Sequence, residues 1–421
     1  MPDLLVVGGG PAGLLAAGTA ALSGLSVLLL EKMPRCARKL RITGKGRCNL
    51  TSARPIDEFY SRFGREGFFL RDAFKAFDNI ALRNFFEELG VPTAVERGER
   101  VFPESENAED VVDALVAWAL KSGVEISYDS PVRDLKLNEE KNAIEGIFLR
   151  SGKLLCAKHY LLACGGASYP LTGSDGDGAR LAAEAGHTII PLRPALIPLV
   201  VEGSTASRFQ GVSLKNVTAT ILANSKKKSS LFGEMLFTHF GLSGPIILSL
   251  SKEVGDLLKQ GKKVAISLDL KPALSEEQLE LRLLREISNL GPKHIKALLK
   301  TLLPAKMLEG CLEDLNLPKD LPVSRITQKQ REALRHWLKN LTFEIAATRP
   351  LEEAIVTAGG VKLKEVDPRT MRSKICQNLS LAGEILDLDA CTGGYNLQEA
   401  FSTGYLAGLN VPKSPSQEKT I

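Results

Sequence analysis

The chain has 421 residues, of which 44% are hydrophobic and 24% are charged, and its formal net charge is +5. At about 100–200 residues per domain, this length predicts two or three domains. Apolar runs such as Val27 to Leu30 are far shorter than the roughly 20 residues that span a bilayer, and no secretory signal pattern opens the sequence. We therefore expect a cytoplasmic protein without a membrane segment.

Cysteine spacing and charge distribution further narrow the classes of protein to which the chain can belong. The seven cysteines are odd in number and scattered without a CxxC pair, which predicts neither a disulfide framework nor a metal site. Residues 193–349 carry 24 Lys and Arg against 15 Asp and Glu, whereas the rest of the chain carries 30 against 34. A basic region of this kind is typical of a surface that binds an anionic partner, and equally of a lysine-rich solvated face.

The first elements in chain order predict a β-α-β unit. A short apolar run ends at Val7, a helix extends from Pro11 to Ser23, and a second apolar run ends at Glu31. The residues that follow predict two helices and then four strands that include an antiparallel meander. The helices are expected at 73–89 and 107–122, and the strands at 124–128, 132–137, 143–149 and 154–158.

After Pro191 the pattern changes to short strands that predict a small β-barrel or sandwich. Ser243 and Pro245 in LSGP then predict a helix start. Helical segments follow, and two of their starts fit the capping box, at Ser275 with Gln278 and at Thr327 with Gln330. From Leu351 the glycine-rich α/β pattern returns. We therefore interpret the middle of the chain as an insertion into an α/β domain.

The motif VVGGGPAG lies between the first strand and the first helix. Its three glycines at the GxGxxG positions would allow a tight turn, a close approach to a pyrophosphate, and close packing of helix on strand. Glu31 closes the second strand, where a carboxylate accepts hydrogen bonds from ribose hydroxyls. The residues predicted to bind a dinucleotide here are Gly8, Gly10, Pro11, Ala12, Gly13, Glu31 and Lys32.

Two further glycine clusters favour FAD over NAD. LLACGG is a strand that ends in a glycine pair, and LAGEILD is a strand that ends at Gly383 and Glu384. TGGYNLQ then opens a helix whose N-terminus would stabilise negative charge on a reduced flavin. These segments add Ala163, Cys164, Gly165, Gly166, Gly383, Glu384, Asp387, Gly393, Gly394, Tyr395, Asn396 and Leu397 to the predicted cofactor site.

These clusters, together with RKLRITGKGRCNLT, SYPLTGSDGDG, LFTHFGLSGP and TAGGVKLKEVDPRTMRSK, resemble one family over nearly the whole chain. It is the bacterial NAD(P)/FAD-dependent oxidoreductase family that includes bile-acid dehydro-reductases, aminoacetone oxidase-like enzymes and ribosomal RNA dihydrouridine synthases. The resemblance implies non-covalent FAD along a loop of Arg38, Lys39, Leu40, Gly44, Gly46, Arg47, Cys48 and Asn49, and at Val132 and Asp177. One departure is Cys164, where such flavoproteins commonly have Thr.

The resulting fold prediction is α/β, with a two-part Rossmann-like FAD-binding domain and an inserted β-barrel with a small helical bundle. The predicted boundaries are 1–192 and 351–412 for the FAD domain, 193–272 plus 323–350 for the barrel, 273–322 for the helices and 413–421 for a disordered tail. Asp177 has a second interpretation as the cap of a helix.

Three residues are candidates for proton transfer or redox chemistry. Cys48 and His239 would lie near the flavin as acids, and Tyr169 is a third such group. Each also has a structural interpretation, since a buried Cys is commonly a small apolar filler and a His is commonly a hydrogen-bonded core residue.

By this interpretation the protein reduces an electron-poor C=C bond with electrons from NAD(P)H, and uridine in ribosomal RNA, docked on the basic insertion, is the favoured substrate. A flavin amine or aminoacetone-type oxidase that uses oxygen, a steroid-like enone reductase and a non-catalytic RNA-binding flavoprotein remain alternatives. No second GxGxxG occurs in a β-α-β context, so NAD(P)H would visit the flavin transiently.

Overall fold

The computed structural model describes residues 1–413, so the tail predicted to be disordered lies outside the described residues except for Lys413. The chain forms two compact units. The first unit comprises Met1–Pro194 and the chain from Leu351 onward, and the second, here called the inserted unit, comprises Ala195–Pro350.

The strands of the described chain are β1 Leu4–Val7, β2 Val27–Leu30, β3 Thr51–Ser52, β4 Thr93–Glu96, β5 Arg100–Pro103, β6 Val124–Ser127, β7 Val132–Leu137, β8 Ile144–Leu149, β9 Leu154–Leu155, β10 His159–Leu162, β11 Ile189–Ala195, β12 Leu199–Val201, β13 Ser213–Ala223, β14 Lys226–Phe237, β15 Gly241–Ser243, β16 Val264–Asp269, β17 Leu341–Thr348, β18 Val356–Val361 and β19 Leu379–Leu381. The α-helices are α1 Pro11–Leu22, α2 Arg38–Ile42, α3 Asp57–Arg62, α4 Arg71–Ala76, α5 Asn79–Glu88, α6 Ala108–Lys121, α7 Asp177–Glu184, α8 Pro245–Lys259, α9 Glu276–Leu290, α10 Ile295–Lys300, α11 Leu308–Asp314, α12 Gln328–Lys339 and α13 Tyr395–Leu409.

The first unit is built on a parallel five-stranded sheet in the order β19-β10-β1-β2-β6. Every residue of β1 and β10 is buried, as expected for strands that are covered on both faces. Helix α1 connects β1 to β2, and α13 packs against α1. The sheet therefore joins strands from both ends of the chain, because β19 comes from the segment after the insertion.

One expectation about the first unit needs correction, and another is confirmed in more detail. The helix expected at 73–89 is two helices, α4 and α5, because Asp78 caps α5 by accepting a hydrogen bond from the N–H of Ala81 at 2.7 Å. The antiparallel meander expected in this stretch is present and consists of β7, β8 and β9, and the strand expected at 124–128 is present outside it. It forms β6, which pairs in parallel with β2.

The inserted unit contains a closed barrel in the order β12-β15-β14-β13-β16-β17, accompanied by helices α8 to α12. Both predicted capping boxes are present, at Ser275 with Gln278 and at Thr327 with Gln330. Helix α8 begins at Pro245, as LSGP predicts. The predicted fold class is thereby confirmed, and among residues 1–413 no helix is long and apolar enough to cross a membrane.

Candidate functional site

Four parallel strands of the first unit end at the same edge of the sheet. The segments that follow β1, β2, β10 and β19 carry the glycine loop, Glu31, the Gly165–Gly166 pair and the Gly383–Glu384 pair, respectively. Ligands of open α/β sheets bind at the carboxyl ends of the strands, where the connections diverge to either side. The predicted cofactor residues therefore gather at the edge where this fold binds ligands.

The glycine loop has three positions with different physical requirements. Gly8 has φ +108°, and a Cβ there would lie 2.5 Å from the carbonyl oxygen of Ala163. A Cβ on Gly13 would lie 1.9 Å from the carbonyl oxygen of Gly8, so α1 packs directly on the loop. A Cβ on Gly10 would meet no heavy atom within 4 Å. The space at the start of α1 is therefore open, while the loop behind it is closely packed.

Helix α1 begins in this open space, and its first turn has no negatively charged side chain. Gly10 is its N-cap residue, and no side chain caps the helix. The unpaired N–H groups of a helix start favour a phosphate. Arg38, at the start of α2, is half-buried and forms no ion pair within residues 1–413, so its guanidinium is available to an anion.

Glu31 at the end of β2 is buried and hydrogen-bonded. Its carboxylate accepts the N–H of Gly9 at 2.9 Å through Oε2 and the N–H of Met33 at 2.8 Å through Oε1. Burial raises the pKa of Glu31, and these N–H groups oppose that increase. The carboxylate thus holds the glycine loop against the end of β2, at the position where a ribose would be bound.

Lys32 and Asp177 lie beside Glu31 and form an ion pair at 3.1 Å, and Lys32 also pairs with Asp175. The interpretation of Asp177 as a helix cap is wrong, because Gly176 is the N-cap of α7 and Asp177 is its first helical residue. Its side chain is directed to Lys32 instead. Whether it contacts a cofactor stays a prediction.

Glycines bring the distant segments into direct contact. A Cβ on Gly383 would lie 2.9 Å from Cβ of Ala12, and a Cβ on Gly166 would lie 2.4 Å from Oγ1 of Thr357. A Cβ on Gly394 would lie 2.5 Å from the carbonyl oxygen of Thr51. Side chains larger than hydrogen would separate these segments, so each glycine is needed for the close approach.

Lys39 and Glu384 form the central ion pair of the site. The Lys39 Nζ lies 2.6 Å from Oε2 of Glu384 and donates to Oγ of Ser168 at 2.6 Å. The N–H of Thr357 donates to Oε1 of Glu384 at 2.8 Å. Four segments of the chain thus meet at one carboxylate. Ser168 and Thr357 were not predicted, although both lie in the motifs that carry the family resemblance.

The loop of Arg38 to Asn49 is only partly available to an anion. Arg47 is held by Glu96 and Glu106 and stacks on the ring of Phe102, 4.2 Å from its centroid. With its amide oriented to satisfy its neighbours, Asn49 accepts the N–H of Gly394 at 3.1 Å. The loop therefore contacts the GGYN turn through Asn49. Lys39 and Arg38 are the cations at its start.

The thiols at the site favour the protonated form. Cys48 is fully buried at φ +62°, and burial raises its pKa to about 12. Burial likewise raises the pKa of Cys164 to about 12, and its thiol donates to the carbonyl oxygen of Val7 at 3.4 Å. Neither is an activated nucleophile at neutral pH. Cys48 fits the role of an apolar filler better than that of a redox thiol.

The other two catalytic candidates differ in position. Tyr169 is half-buried at φ +54° next to Ser168, and burial raises the pKa of its phenol. Its hydroxyl is therefore a proton donor rather than a phenolate at neutral pH. His239 belongs to the inserted unit, where it is exposed between β14 and β15 and contacts the ring of Phe240. A catalytic role for either stays a prediction.

Several predicted cofactor residues contribute structure rather than a free side chain. Leu40 is buried in the core, Val132 opens β7, and the Tyr395 ring packs on Phe59. Gly44 and Gly46 have positive φ, and Gly393 packs on Tyr395. The Asn396 side chain hydrogen-bonds the backbone of Ala390, and the N–H of Asp387 donates to the carbonyl oxygen of Val361. Leu397 is half-buried.

Glu399 is a buried carboxyl that the sequence did not single out. It lies in α13, is 2% exposed, and its Oε1 has no hydrogen-bond partner. Burial, together with the nearby charge of Glu384, raises its pKa well above the ordinary value. The protonated form of this carboxyl is therefore favoured, one helical turn inside the helix that the GGYN turn opens.

The residues present fit a bound dinucleotide at this edge. The open space beside Gly10, the uncapped start of α1 and the unpaired Arg38 suit two phosphates, and Glu31 suits a ribose. Among residues 1–413 no group of three or more His, Cys, Asp or Glu is arranged to hold a metal ion. The fold and the site together define a Rossmann-type flavoprotein oxidoreductase.

Comparison with known proteins identifies the family. The model of the HI0933-like protein Rossmann domain matches residues 2–410. The chain is 32% identical over 413 residues to the 3-dehydro-bile acid delta(4,6)-reductase of Clostridium scindens, covering 97% of this chain and 99% of that one. It is 27% identical over 412 residues to the ribosomal RNA dihydrouridine synthase of Haemophilus influenzae, covering 97% and 98%. The chain belongs to the HI0933-like family.

A solved structure with a similar fold is the 3-ketosteroid delta1-dehydrogenase of Sterolibacterium denitrificans in complex with 1,4-androstadiene-3,17-dione. The TM-score is 0.51 at 13% identity, covering 97% of this chain and 99% of that chain. At this identity the likeness describes the fold alone. The family assignment rests on the sequence matches.

Proposed function

We propose that this chain is an FAD-dependent oxidoreductase that uses NAD(P)H to reduce an electron-poor C=C bond. The observation that carries the proposal is the convergence of the four strand-end segments beside the open start of α1. Bound FAD would supply the hydride chemistry, accepting a hydride from NAD(P)H and passing one to the substrate. The overall change is NAD(P)H, a proton and a C=C bond converted to NAD(P)⁺ and a saturated C–C bond.

The residues of this chain would hold and orient that cofactor. Gly10 and the first N–H groups of α1 would bind the pyrophosphate with Arg38, and Glu31 would bind the ribose. The Lys39–Glu384 pair fixes the segment after β19 against the basic loop. Tyr169, protonated at neutral pH, is the candidate that donates the proton to the substrate carbon.

The favoured substrate is uridine in ribosomal RNA, whose C5=C6 bond is conjugated to a carbonyl. Support comes from the 27% identity to the Haemophilus influenzae enzyme over nearly the full length of both chains. Residues 193–349, with 24 Lys and Arg against 15 Asp and Glu, provide charge of the sign that an RNA backbone requires.

The experiment measures dihydrouridine in ribosomal RNA by mass spectrometry, in a strain that lacks the gene and in the same strain complemented with variants. Wild type should restore dihydrouridine, and Gly10→Glu should not, because its carboxylate enters the phosphate space. That space is open, so the variant should fold. Leu22→Glu, at the exposed other end of α1, is the matched control and should restore it.

The purified proteins separate the cofactor from the substrate. Wild type and Leu22→Glu should retain FAD, and Gly10→Glu should lose it, with equal Tm values apart from the contribution of bound FAD. If the gene deletion leaves dihydrouridine unchanged while wild type retains FAD, the RNA substrate is wrong and the flavoprotein assignment stands. Peroxide production from an amine without NAD(P)H would instead indicate an oxidase.

A second candidate substrate is a small conjugated enone of the steroid type. The 32% identity to the Clostridium scindens bile acid reductase favours it. Both substrates present a C=C bond conjugated to a carbonyl, so one hydride transfer reduces either. NAD(P)H oxidation by the purified protein with a 3-oxo-Δ4 steroid, compared with its oxidation with RNA, distinguishes the two candidates.

A further inference from the structure

One end of the barrel in the inserted unit carries a concentration of lysines. The turn after β13 leads into Lys226, Lys227 and Lys228, and the connection from α8 to β16 contains Lys259, Lys262 and Lys263. We call these six residues the lysine cluster. All are exposed except Lys262, which is partly exposed. Neither segment, 224–230 or 259–263, contains an acidic residue.

Backbone contacts hold the two segments together. The N–H of Asn224 donates to the carbonyl oxygen of Lys263 at 2.8 Å, and the N–H of Lys263 donates to Oδ1 of Asn224 at 3.1 Å. Ala223 pairs with Lys226 on one side and with Val264 on the other. The two groups of three lysines therefore lie on either side of the end of β13.

The cluster is not neutralised by the structure around it. Within residues 1–413, none of the six lysines forms an ion pair. Glu253 on α8 accepts a hydrogen bond from the hydroxyl of Ser229 and so places one carboxylate beside the six lysines, and Asp256, one turn before Lys259, already has an interaction of its own. Six like charges at one end repel one another and lower stability. Such an arrangement is typical of a surface that gains its compensating charge from a partner.

Protection of a strand edge accounts for only part of the cluster. Strand β14 pairs with β15 at Leu236 and Phe237 alone, so the rest of that edge has no strand partner, and lysines commonly prevent such edges from pairing with other chains. Lys259, Lys262 and Lys263 lie outside β14. Edge protection also works with charge of either sign, whereas all six residues are positive.

An exposed aromatic residue lies on the barrel face that leads to the cluster. Thr220 and Ser230 face outward, because their hydroxyls bond each other at 2.8 Å while the flanking Ala219 and Ile221 are buried. Phe232, two residues beyond Ser230, therefore faces outward as well and is 62% exposed. Leu222, two residues beyond Thr220, lies on the same face of β13, and across a register shift in the pairing its partner on β14 is the exposed Lys227.

We infer that the lysine cluster and Phe232 form an RNA-docking surface, in which the lysines bind phosphates and Phe232 stacks on an unpaired base. The inference rests on the proposed function, since it adds a binding surface for the RNA substrate. Single-stranded RNA is bound by this combination of cations along the backbone and exposed rings beneath the bases. An anionic membrane would attract the same lysines, and the proposed RNA substrate is the reason that RNA is chosen as the partner.

The test measures binding of a fluorescein-labelled, uridine-rich single-stranded RNA to the full-length protein by fluorescence anisotropy over a range of salt concentrations. Replacing three phosphate contacts in K226Q/K227Q/K228Q should weaken binding at least about tenfold. The slope of log K against log salt should fall in magnitude by about 2, at roughly 0.7 per contact. Phe232→Ala should weaken binding about tenfold with the slope unchanged.

The matched control is K121Q/K141Q/K153Q, which removes three exposed lysines of the first unit and changes the net charge equally. It should retain wild-type affinity and slope. Equal losses in the two triple variants would overturn the inference, because total charge rather than the cluster would govern binding. Binding to vesicles of phosphatidylserine but not to the RNA would overturn it in favour of a membrane surface.

Activity separates this inference from the proposed function. The lysine variants should retain NAD(P)H oxidation with a small artificial acceptor, while dihydrouridine formation in isolated ribosomal RNA falls steeply as salt rises. If the triple variant modifies RNA as well as wild type at every salt concentration, the docking surface is wrong and the RNA reductase stands. If wild type binds RNA through the cluster without reducing it, the surface stands and the RNA reductase is wrong.

Discussion

The two units of the chain differ most in what they bury. Of the polar and charged residues that are buried among residues 1–413, only Ser251 belongs to the inserted unit. Its hydroxyl accepts the N–H of Ile197 at 3.0 Å and donates to the carbonyl oxygen of Leu248 at 2.7 Å. The first unit buries many more polar and charged residues, including Glu31, Glu399 and Ser168, which accepts a hydrogen bond from Lys39.

This difference separates two kinds of stabilisation. The inserted unit is held by apolar packing around Phe209, Phe237 and Phe343, with its charge on the surface. The first unit keeps polar groups inside, where each needs a partner and an unpartnered one costs stability. Chemistry requires such groups in a dry site, so we expect the first unit to carry the reaction and the inserted unit to be tolerant of surface change.

The largest expected effect tests the close packing of the first unit. Gly13→Ala should destabilise the protein by more than about 4 kcal/mol, because its Cβ would lie 1.9 Å from the carbonyl oxygen of Gly8, and backbone cannot move aside easily. Thermal unfolding measured by circular dichroism would show the loss. Gly10→Ala is the control and should leave the unfolding of the protein nearly unchanged, and an unaltered Tm for Gly13→Ala would contradict the packing argument.

A substitution in the inserted unit tests whether the two units are stabilised separately. Phe237→Ala should cost about 3–5 kcal/mol, because the ring is 1% exposed and packs on two other rings. Hydrogen exchange should accelerate in residues 195–350, while β1 and β10 stay protected. Phe232→Ala, at an exposed position, should leave hydrogen exchange unchanged in both units. Equal loss of protection in both units after Phe237→Ala would contradict separate stabilisation.

The buried carboxyl of the first unit predicts a pH effect of opposite sign to the usual one. The pKa of Glu399 in the folded protein is raised above its ordinary value of 4.5, so its contribution to stability is full below that value and is lost as pH rises toward the folded pKa. Glu399→Gln does not titrate. It should raise Tm by a few degrees at pH 8 and by almost nothing near pH 4.

The control for that experiment is Glu125→Gln, at an exposed position of β6. We expect it to change the free energy of unfolding by less than about 0.5 kcal/mol at either pH. Urea denaturation at the two pH values gives the same comparison independently of temperature. A stability loss on Glu399→Gln at pH 8 would show that the carboxylate is ionised and paired, contrary to its unpartnered Oε1.

The smallest expected effect tests a local feature of the inserted unit. Ser275→Ala removes the capping box of α9 and should cost about 1 kcal/mol in urea denaturation. Ser288→Ala, the same change at an exposed position within α9, should stabilise by a few tenths of a kcal/mol through helix propensity. If the two substitutions have equal effects, the cap contributes nothing beyond propensity.

Local patterns predicted local structure well. The β-α-β unit, the start of α8 at Pro245 and both capping boxes depend on residues within a few positions of one another. The break at Asp78 was missed, although it also has a local cause, because the apolar period continues across it.

The contacts of the site could not be predicted in the same way. Lys39 and Glu384 are separated by 345 residues, and their ion pair depends on the order of strands in the sheet. Glycine motifs indicated which segments approach a ligand, but not that Thr357 and Ser168 would meet one carboxylate. Glu399 had one available indication, a lone charge in a helix otherwise made of small, apolar and neutral residues.

The packing of α13 on α1 also bears on how the protein is made. Gly404 and Gly408 lie so close to Ala12 and Ala16 that a Cβ on either glycine would meet their carbonyl oxygens within 2.5 Å, and β19 completes the sheet beside β10. A ribosome releases the segment that ends at Pro194 long before these partners exist. The last strand of the inserted unit ends at Thr348, so this unit can fold during translation before α13, which packs on α1, has been synthesised. A nonsense mutation between residue 350 and β19 would therefore leave a folded barrel attached to an incomplete and aggregation-prone sheet.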